Sequence, residues 1–207
     1  MIGIVDYGVG NVQAIANIYK KLDVPATLAR SAAELAAAER IILPGVGAFD
    51  GAMQRLNDSG MRPALEEAVG VARKPLLGIC VGMQMLAARS DEGVIAGLGW
   101  IPGEVKKFDT ASFRQLTHLP HMGWNDVAPV GQEPLFRGLE NGARFYFLHS
   151  YYFSPGPAAR VMANADYNGN FACGVAAGHV HGVQFHPEKS HQWGVQLLRN
   201  FAEMAPC

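Results

Sequence analysis

A cysteine between two glycines, in Gly78-Ile79-Cys80-Val81-Gly82, is the strongest chemical signal in the sequence. The segment lies where a predicted strand ends and a predicted helix begins, and its pattern matches a nucleophile elbow with cysteine in place of serine. The glycines leave room for a sharp turn that exposes the sulfur at a helix start, where a thiolate is favoured. The pattern therefore predicts a nucleophilic Cys80; the alternative is a small buried cysteine in a glycine-rich turn.

His186 and Glu188 offer the base that a cysteine nucleophile needs, together with a group to orient it. Pro187 between them disfavours a helix, so we expect an extended segment in which both side chains project to the same side. Glu188 can then accept the Nδ1–H of His186 and leave Nε2 for the thiol. Alone, such a pair is more commonly found at an ordinary strand end, but the elbow cysteine favours a catalytic triad.

The glycine-rich loop Pro44-Gly45-Val46-Gly47-Ala48-Phe49-Asp50 follows another predicted strand. Glycine on both sides of Val46 permits unusual backbone angles, so the N–H groups of Val46 and Gly47 can point inward. Together with the N–H of Val81 they would stabilise an oxyanion. The alternative is an ordinary tight turn between a strand and a helix.

The remaining histidines and cysteines show no spacing typical of a metal site, and we expect no metal. His118 and His121 are three residues apart, but Pro120 between them argues against a pair of helical ligands. Cys173 and Cys207 have no nearby base in the sequence, so we expect both to be inert.

The elements that must position these residues alternate between short apolar runs and helical patterns. Strands are predicted over residues 2–6, 26–29, 40–43 and 76–79, each followed by a helical pattern, the fourth over 82–89. Such an alternation favours a parallel sheet with helices on both faces. Later strands joined by short connections favour antiparallel pairing. The fold class is therefore α/β, with a mixed, largely parallel central sheet, flanking helices and an additional antiparallel portion.

Composition restricts the function further. The 207 residues are 49% hydrophobic and 17% charged, as expected for a folded protein, and we expect one domain over 1–207. A net charge of −1 argues against nucleic acid or an anionic membrane as a partner. Without a leader pattern, a membrane-spanning apolar run or a disulfide framework, the sequence suggests a cytoplasmic protein.

The motifs carry a family resemblance. Leu77-Gly-Ile-Cys80-Val-Gly-Met-Gln84 and Phe185-His186-Pro-Glu188 resemble the class I, triad-type glutamine amidotransferases. Three further segments resemble the glutaminase subunits of imidazole glycerol phosphate synthases within that class: Asp6-Tyr-Gly-Val-Gly-Asn11, His121-Met-Gly-Trp124-Asn125 and His186-Pro-Glu-Lys189-Ser190. The resemblance runs from Met1 to about Phe201. Val81 stands where leucine is more usual, which leaves the backbone N–H unchanged.

The resemblance implies a role for each motif. Cys80 would attack the carboxamide carbon of glutamine, His186 would move the proton, and Glu188 would orient His186. Backbone N–H groups of Val46, Gly47 and Val81 would bind the oxyanion. The glutamine pocket would be formed by Gly47, Gln84, Tyr146, His149 and Ser150. No cofactor is implied.

The resemblance also implies a partner, a (β/α)₈-barrel cyclase subunit that receives the ammonia and forms imidazole glycerol phosphate in histidine biosynthesis. Asn11, Trp124 and Lys189 would contact it, although Trp124 can also be interpreted as a core residue. The alternatives are a glutaminase for another synthase, making anthranilate or pyridoxal phosphate, and a stand-alone cysteine hydrolase of γ-glutamyl peptides. A non-catalytic binding module is disfavoured by the intact Cys80, His186 and Glu188.

Overall fold

The structure is a computed structural model that describes residues 1–113 and 117–205. Cys207, expected to be inert, lies outside the described residues. The helices are α1 Val12–Lys21, α2 Ala32–Ala37, α3 Phe49–Asp58, α4 Arg62–Glu66, α5 Val81–Gln84 and α6 His191–Glu203. The first six strands are β1 Ile2–Val5, β2 Ala26–Ala29, β3 Arg40–Gly45, β4 Leu76–Cys80, β5 Gly103–Lys107 and β6 His121–Asp126. The others are β7 Ala128–Pro129, β8 Arg144–His149, β9 Tyr151–Pro155, β10 Arg160–Asp166, β11 Asn170–Ala177 and β12 Val180–Val183.

An eight-stranded sheet in the order β2-β1-β3-β4-β12-β11-β10-β7 forms the centre of the fold. The first five strands in that order pair in parallel, and the last three add antiparallel pairs. Two smaller antiparallel sheets pair β5 with β9 and β6 with β8. The predicted α/β class, with its mixed sheet and antiparallel portion, is confirmed. Among the described residues, no helix is long and apolar enough to cross a membrane.

Strand β3 continues through Pro44 and Gly45, where the sequence predicted that it would stop. Proline is tolerated because β1 pairs with β3 only as far as Ile42, while β4 still pairs with the other edge. The missing N–H therefore costs no bond to β1. The longer strand places the following loop directly beside the end of β4.

The helix predicted over 82–89 is wrong in length, because α5 ends at Gln84. After it, the N–H groups of Leu86 and Ala87 bond three residues back, to Met83 and Gln84. These tighter turns end the helix and lead to Ser90, which bridges to Val105 on β5. A helix of four residues has a weak dipole, so the stabilisation of a thiolate at Cys80 has to come from other groups.

Candidate active site

Three neighbouring strands of the central sheet end at one place. Strand β4 ends in Cys80, β3 leads into the loop around Gly47, and β12 leads into the segment that contains His186. Carboxyl ends of adjacent parallel strands lie on the same edge of a sheet, which is where ligands bind in α/β folds. The sheet thus brings together three motifs that are far apart in the sequence.

Cys80 sits on a strained turn, with φ +54° and ψ −114°. The flanking glycines are needed because the backbone is packed on itself. A Cβ on Gly82 would lie 1.9 Å from the carbonyl oxygen of Leu43, and one on Gly78 would lie 2.7 Å from that of Gly82. A non-glycine residue at such a φ is uncommon and is found at functional sites. The predicted elbow geometry is therefore present.

His186 is paired with Glu188. Its Nδ1 donates a 2.9 Å hydrogen bond to Oε1 of Glu188, and both side chains are almost fully buried. The expectation of a fully extended segment is wrong in part, because residues Pro187–Lys189 form a 3₁₀ turn. The turn still brings Glu188 back to the imidazole.

The charge of His186 follows from its surroundings. Burial lowers the pKa of the imidazole, but hydrogen bonds and charge interactions with Cys80 and Glu188 outweigh it and raise that pKa to about 10. An imidazolium is therefore favoured at neutral pH when it faces the Cys80 sulfur and the Glu188 carboxylate. This is the arrangement that a thiolate nucleophile requires.

Ser190 ties this segment to the neighbouring sheet, which sequence reasoning missed. Its Oγ donates to the carbonyl of His186 at 2.6 Å and accepts from the N–H of Tyr146 at 3.0 Å. The N–H of His186 in turn donates to the carbonyl of Tyr146. Strand β8 is thereby fixed against His186.

A cleft of about 390 Å³ opens over the sulfur, large enough for an amino acid. Most of the residues predicted to act on glutamine or on the oxyanion line it, and the cleft also reaches Pro120 and Leu148, which were not predicted. Its lining is Val46, Gly47, Cys80, Val81, Pro120, Leu148, His149, Ser150, His186 and Lys189.

Two residues predicted for the glutamine pocket do not line this cleft. Gln84 is 3% exposed, and its amide nitrogen is bonded to the carbonyl of Tyr151 and to Oε1 of Gln184, both at 3.1 Å. Tyr146 lies under the ammonium of Lys189, 5.7 Å from its ring centre. In this conformation the Gln84 side chain contacts residues around the cleft but not the cleft itself, and Tyr146 lies beside the cleft.

The residues predicted to face a partner are exposed. Trp124 is 41% exposed and stacks on the ring of His191, with centres 5.3 Å apart, so its interpretation as a core residue is wrong. Lys189 and Asn11 are also exposed. Asn11 occupies the N-cap position of α1, but its side chain makes no cap bond.

His149, which was predicted for the glutamine pocket and lines the cleft, is paired with buried His121, and the sequence did not predict this contact. Nδ1 of His121 and Nε2 of His149 are 2.9 Å apart. Burial lowers the pKa of His149 to about 3 and that of His121 to about 4, so both rings are neutral at physiological pH. Among the described residues, no group of three possible metal ligands is present. Cys173 is fully buried, and burial raises the pKa of its thiol, in keeping with an inert residue.

Comparison with known proteins agrees with the family resemblance of the motifs. The family model described as glutamine amidotransferase class-I matches residues 3–205. The imidazole glycerol phosphate synthase subunit HisH of Bdellovibrio bacteriovorus is 58% identical over 99% of this chain and 100% of its own. The protein of the same name from Leptospira interrogans is 49% identical over the same shares. A solved glutamine amidotransferase structure, 20% identical, superposes with a TM-score of 0.74 over 98% of this chain and 97% of its own, which shows the shared fold.

Proposed function

We propose that this chain, which belongs to the class I glutamine amidotransferase family, is the glutaminase subunit of an imidazole glycerol phosphate synthase in histidine biosynthesis. The observation that carries the catalytic part is the cluster at the ends of β4 and β12. There the buried His186–Glu188 pair, joined at 2.9 Å, faces the cysteine on the strained turn. Relatives that are 58% and 49% identical over 99% of this chain and 100% of their own length bear the synthase subunit name.

The reaction begins with the Cys80 sulfur. The thiolate attacks the carboxamide carbon of glutamine, and the carbonyl oxygen becomes an oxyanion held by N–H groups of Val81 and of the loop at Val46 and Gly47. The His186 imidazolium donates its Nε2 proton to the amide nitrogen, the carbon–nitrogen bond breaks, and ammonia leaves. Glu188 keeps the imidazole in the tautomer and orientation that this transfer needs.

Hydrolysis of the thioester completes the cycle. Water attacks the γ-glutamyl carbon while His186, now neutral, takes a proton from it. The carbon–sulfur bond then breaks, which restores the thiolate beside an imidazolium and releases glutamate as its γ-carboxylic acid, whose proton passes to solvent. On the enzyme the proton balance closes on His186, and no cofactor enters the chemistry.

The ammonia would pass to a (β/α)₈-barrel cyclase subunit, with which this chain forms a heterodimer through the face that carries Trp124, Lys189 and Asn11. We assign the whole of residues 1–207 to one glutaminase domain, acting in the cytoplasm, where free thiols such as that of Cys80 persist. Lys189 lines the cleft and lies over the ring of Tyr146, which Trp124 contacts in turn, so the proposed face adjoins the cleft from which the ammonia leaves.

The deciding experiment compares Cys80→Ala with Cys173→Ala in the complex with the cyclase. Cys80→Ala should abolish glutamine-dependent synthesis, by up to ~10⁶-fold, while added ammonia restores the cyclase reaction. Cys173→Ala, which removes a buried thiol elsewhere, should keep glutamine-dependent turnover. Retained turnover in Cys80→Ala would refute the assignment, and full activity without any cyclase would favour the stand-alone hydrolase.

A further inference from the structure

Gln184 is a buried amide beside the nucleophile. It follows β12, is 0% exposed, and its backbone N–H donates to the carbonyl of Cys173. Its side-chain Nε2 lies 3.8 Å from Sγ of Cys80, within range for an N–H donor to sulfur. The catalytic scheme above gives this side chain no task.

The orientation of the Gln184 amide follows from its neighbours. The carbonyl of Tyr151 can only accept, so the group of Gln84 that faces it at 3.1 Å must be the NH₂. The second N–H of that NH₂ points to Gln184 at 3.1 Å, which must therefore present its oxygen there. Consequently the Gln184 NH₂ is directed at the Cys80 sulfur.

A second chain of hydrogen bonds fixes the same Tyr151 carbonyl. Nδ1 of His149 lies 2.8 Å from that oxygen, so it carries the proton, and Nε2 of His149 accepts from Nδ1 of His121. Nε2 of His121 then accepts from the Asn125 NH₂, whose direction is set independently by a 2.7 Å bond to the carbonyl of Asp166. The Tyr151 carbonyl at one end of this series of hydrogen bonds and the Asn125 amide at the other require the same placement of protons on the two histidines. The position of the Tyr151 carbonyl, which orients Gln84, is therefore well defined.

We propose that Gln184 is a catalytic residue of the glutaminase reaction, an N–H donor to the Cys80 thiolate whose amide is oriented by Gln84. The inference rests on the proposed function, because it takes Cys80 as the nucleophile. The carbonyl of Leu148, 4.0 Å from Sγ, accepts from the thiol form, whereas Gln184 donates to the anion. A buried donor to a charged acceptor is among the stronger hydrogen bonds. The thiolate is thus held by His186 on one side and by Gln184 on another.

The test measures how fast iodoacetamide alkylates Cys80 at a series of pH values, with the modified residue identified by mass spectrometry on the full chain. Gln184→Met fills the same space without a donor. We expect the pH of half-maximal alkylation to rise by about one unit, because the anion loses a hydrogen-bond donor that the thiol does not need. Gln84→Met keeps the Gln184 amide but releases its orientation, and should shift the midpoint in the same direction by less.

The matched control is Asn200→Leu. Asn200 is another buried amide, and its NH₂ donates to the carbonyls of Leu135 and Arg137, away from the sulfur. Its loss should lower the melting temperature and leave the alkylation profile unchanged. A shift in whichever of the Gln184 and Gln84 variants folds, without one in Asn200→Leu, supports the proposal. An unchanged midpoint in every folded variant, or an equal shift in the control, overturns it.

Alkylation requires neither glutamine nor a partner, so this readout is separate from the proposed function. If the wild-type complex released no glutamate from glutamine, the proposed function would fail. The dependence of the Cys80 sulfur on Gln184 would still be read from the alkylation midpoint.

Discussion

The hydroxyl of Tyr7 donates a 2.7 Å hydrogen bond to the carbonyl oxygen of Pro44. The loop after β1 therefore holds the start of the loop that we assign to the oxyanion. The end of that loop is also held, since the N–H of Phe49 donates to the Glu92 carboxylate at 2.8 Å. Between these two anchors lie Val46 and Gly47, both exposed. A change in the loop is thus confined to a few peptide groups.

Tyr7→Phe tests this anchor. We expect the loss of one buried hydrogen bond to lower the free energy of unfolding by about 1 kcal/mol and, because the loop loses its fixed start, to lower glutamate release by the complex severalfold. Tyr19→Phe is the matched control, because the Tyr19 hydroxyl also donates to a backbone carbonyl, that of Leu198. It should destabilise the chain similarly without a loss of activity. Equal effects of the two variants on turnover would contradict the anchoring role.

The sequence predicted the local backbone geometry at Cys80 better than the surroundings of the site. The Cys80 elbow could be recognised because its flanking glycines are required by contacts within a few residues, such as Gly78 against Gly82. Strand β2 lies where its short run of residues predicted it. The cap at Ser31 is equally local, since its hydroxyl accepts from the N–H of Glu34 three residues later. Local patterns report local sterics and hydrogen bonding.

Features that depend on contacts far apart in the chain could not be predicted. The role of Gln84 changes because its amide is bonded to Tyr151 and Gln184, which lie 67 and 100 residues away in the sequence. The continuation of β3 through Pro44 depends on where β1 stops pairing. Strand β6 was not predicted as a strand, since it contains Gly123, with φ +126°, and is held by its pairing with β8. Register and long-range pairing decide these outcomes.

Trp124→Ala tests the proposed partner face. The side chain is 41% exposed beside Met122 and Leu148, which are 65% and 38% exposed and directly opposite each other on β6 and β8. An aromatic anchor in such an apolar patch is typical of an interface hot spot, so the affinity for the cyclase should fall by about 2 kcal/mol or more. Calorimetric titration measures it. Val71→Ala, at another exposed apolar residue (70%), should bind normally, and unchanged affinity in Trp124→Ala would remove the residue from the interface.

Acid should destabilise the chain through its buried neutral histidines. Burial lowers the pKa of His181 to about 4; a hydrogen bond to the backbone of Leu76 opposes this in part, and the charge of Arg160 adds a smaller lowering. The unfolded side chain titrates near ~6.5. The unfolded state therefore binds more protons between about pH 6.5 and 4, and stability falls as the pH is lowered through this range, by about 1.4 kcal/mol per pH unit for each such group.

His181→Gln removes one of these titrations and keeps a side-chain donor. Urea unfolding from pH 7 to 4.5 should show a slope shallower by about 1.4 kcal/mol per pH unit than in the unsubstituted chain. His191, which is exposed, provides the control, because His191→Gln should leave the slope unchanged. Identical slopes in the His181 variant and the unsubstituted chain would show that the pKa of His181 is not lowered in the folded chain.

Gly47→Ala tests whether the oxyanion loop gates the reaction. Gly47 has φ +83°, and a Cβ there would meet nothing within 4 Å, so alanine acts only through the backbone, disfavouring this conformation by about 1–2 kcal/mol. A turned peptide would present a carbonyl where the oxyanion needs an N–H, and one lost donor costs ~10²–10³ in rate.

The isolated chain should therefore release little glutamate, and the cyclase with its nucleotide ligand should switch the reaction on. Taking positive φ at Gly47 as the conformation that presents its N–H to the oxyanion, we expect Gly47→Ala to reduce that activation about tenfold and to leave binding intact. Gly131→Ala is the control, since Gly131 also has positive φ, +68°, and open space. Glutamate release is measured for the chain, the complex and the complex with nucleotide, and equal rates in all three would rule out gating by this loop.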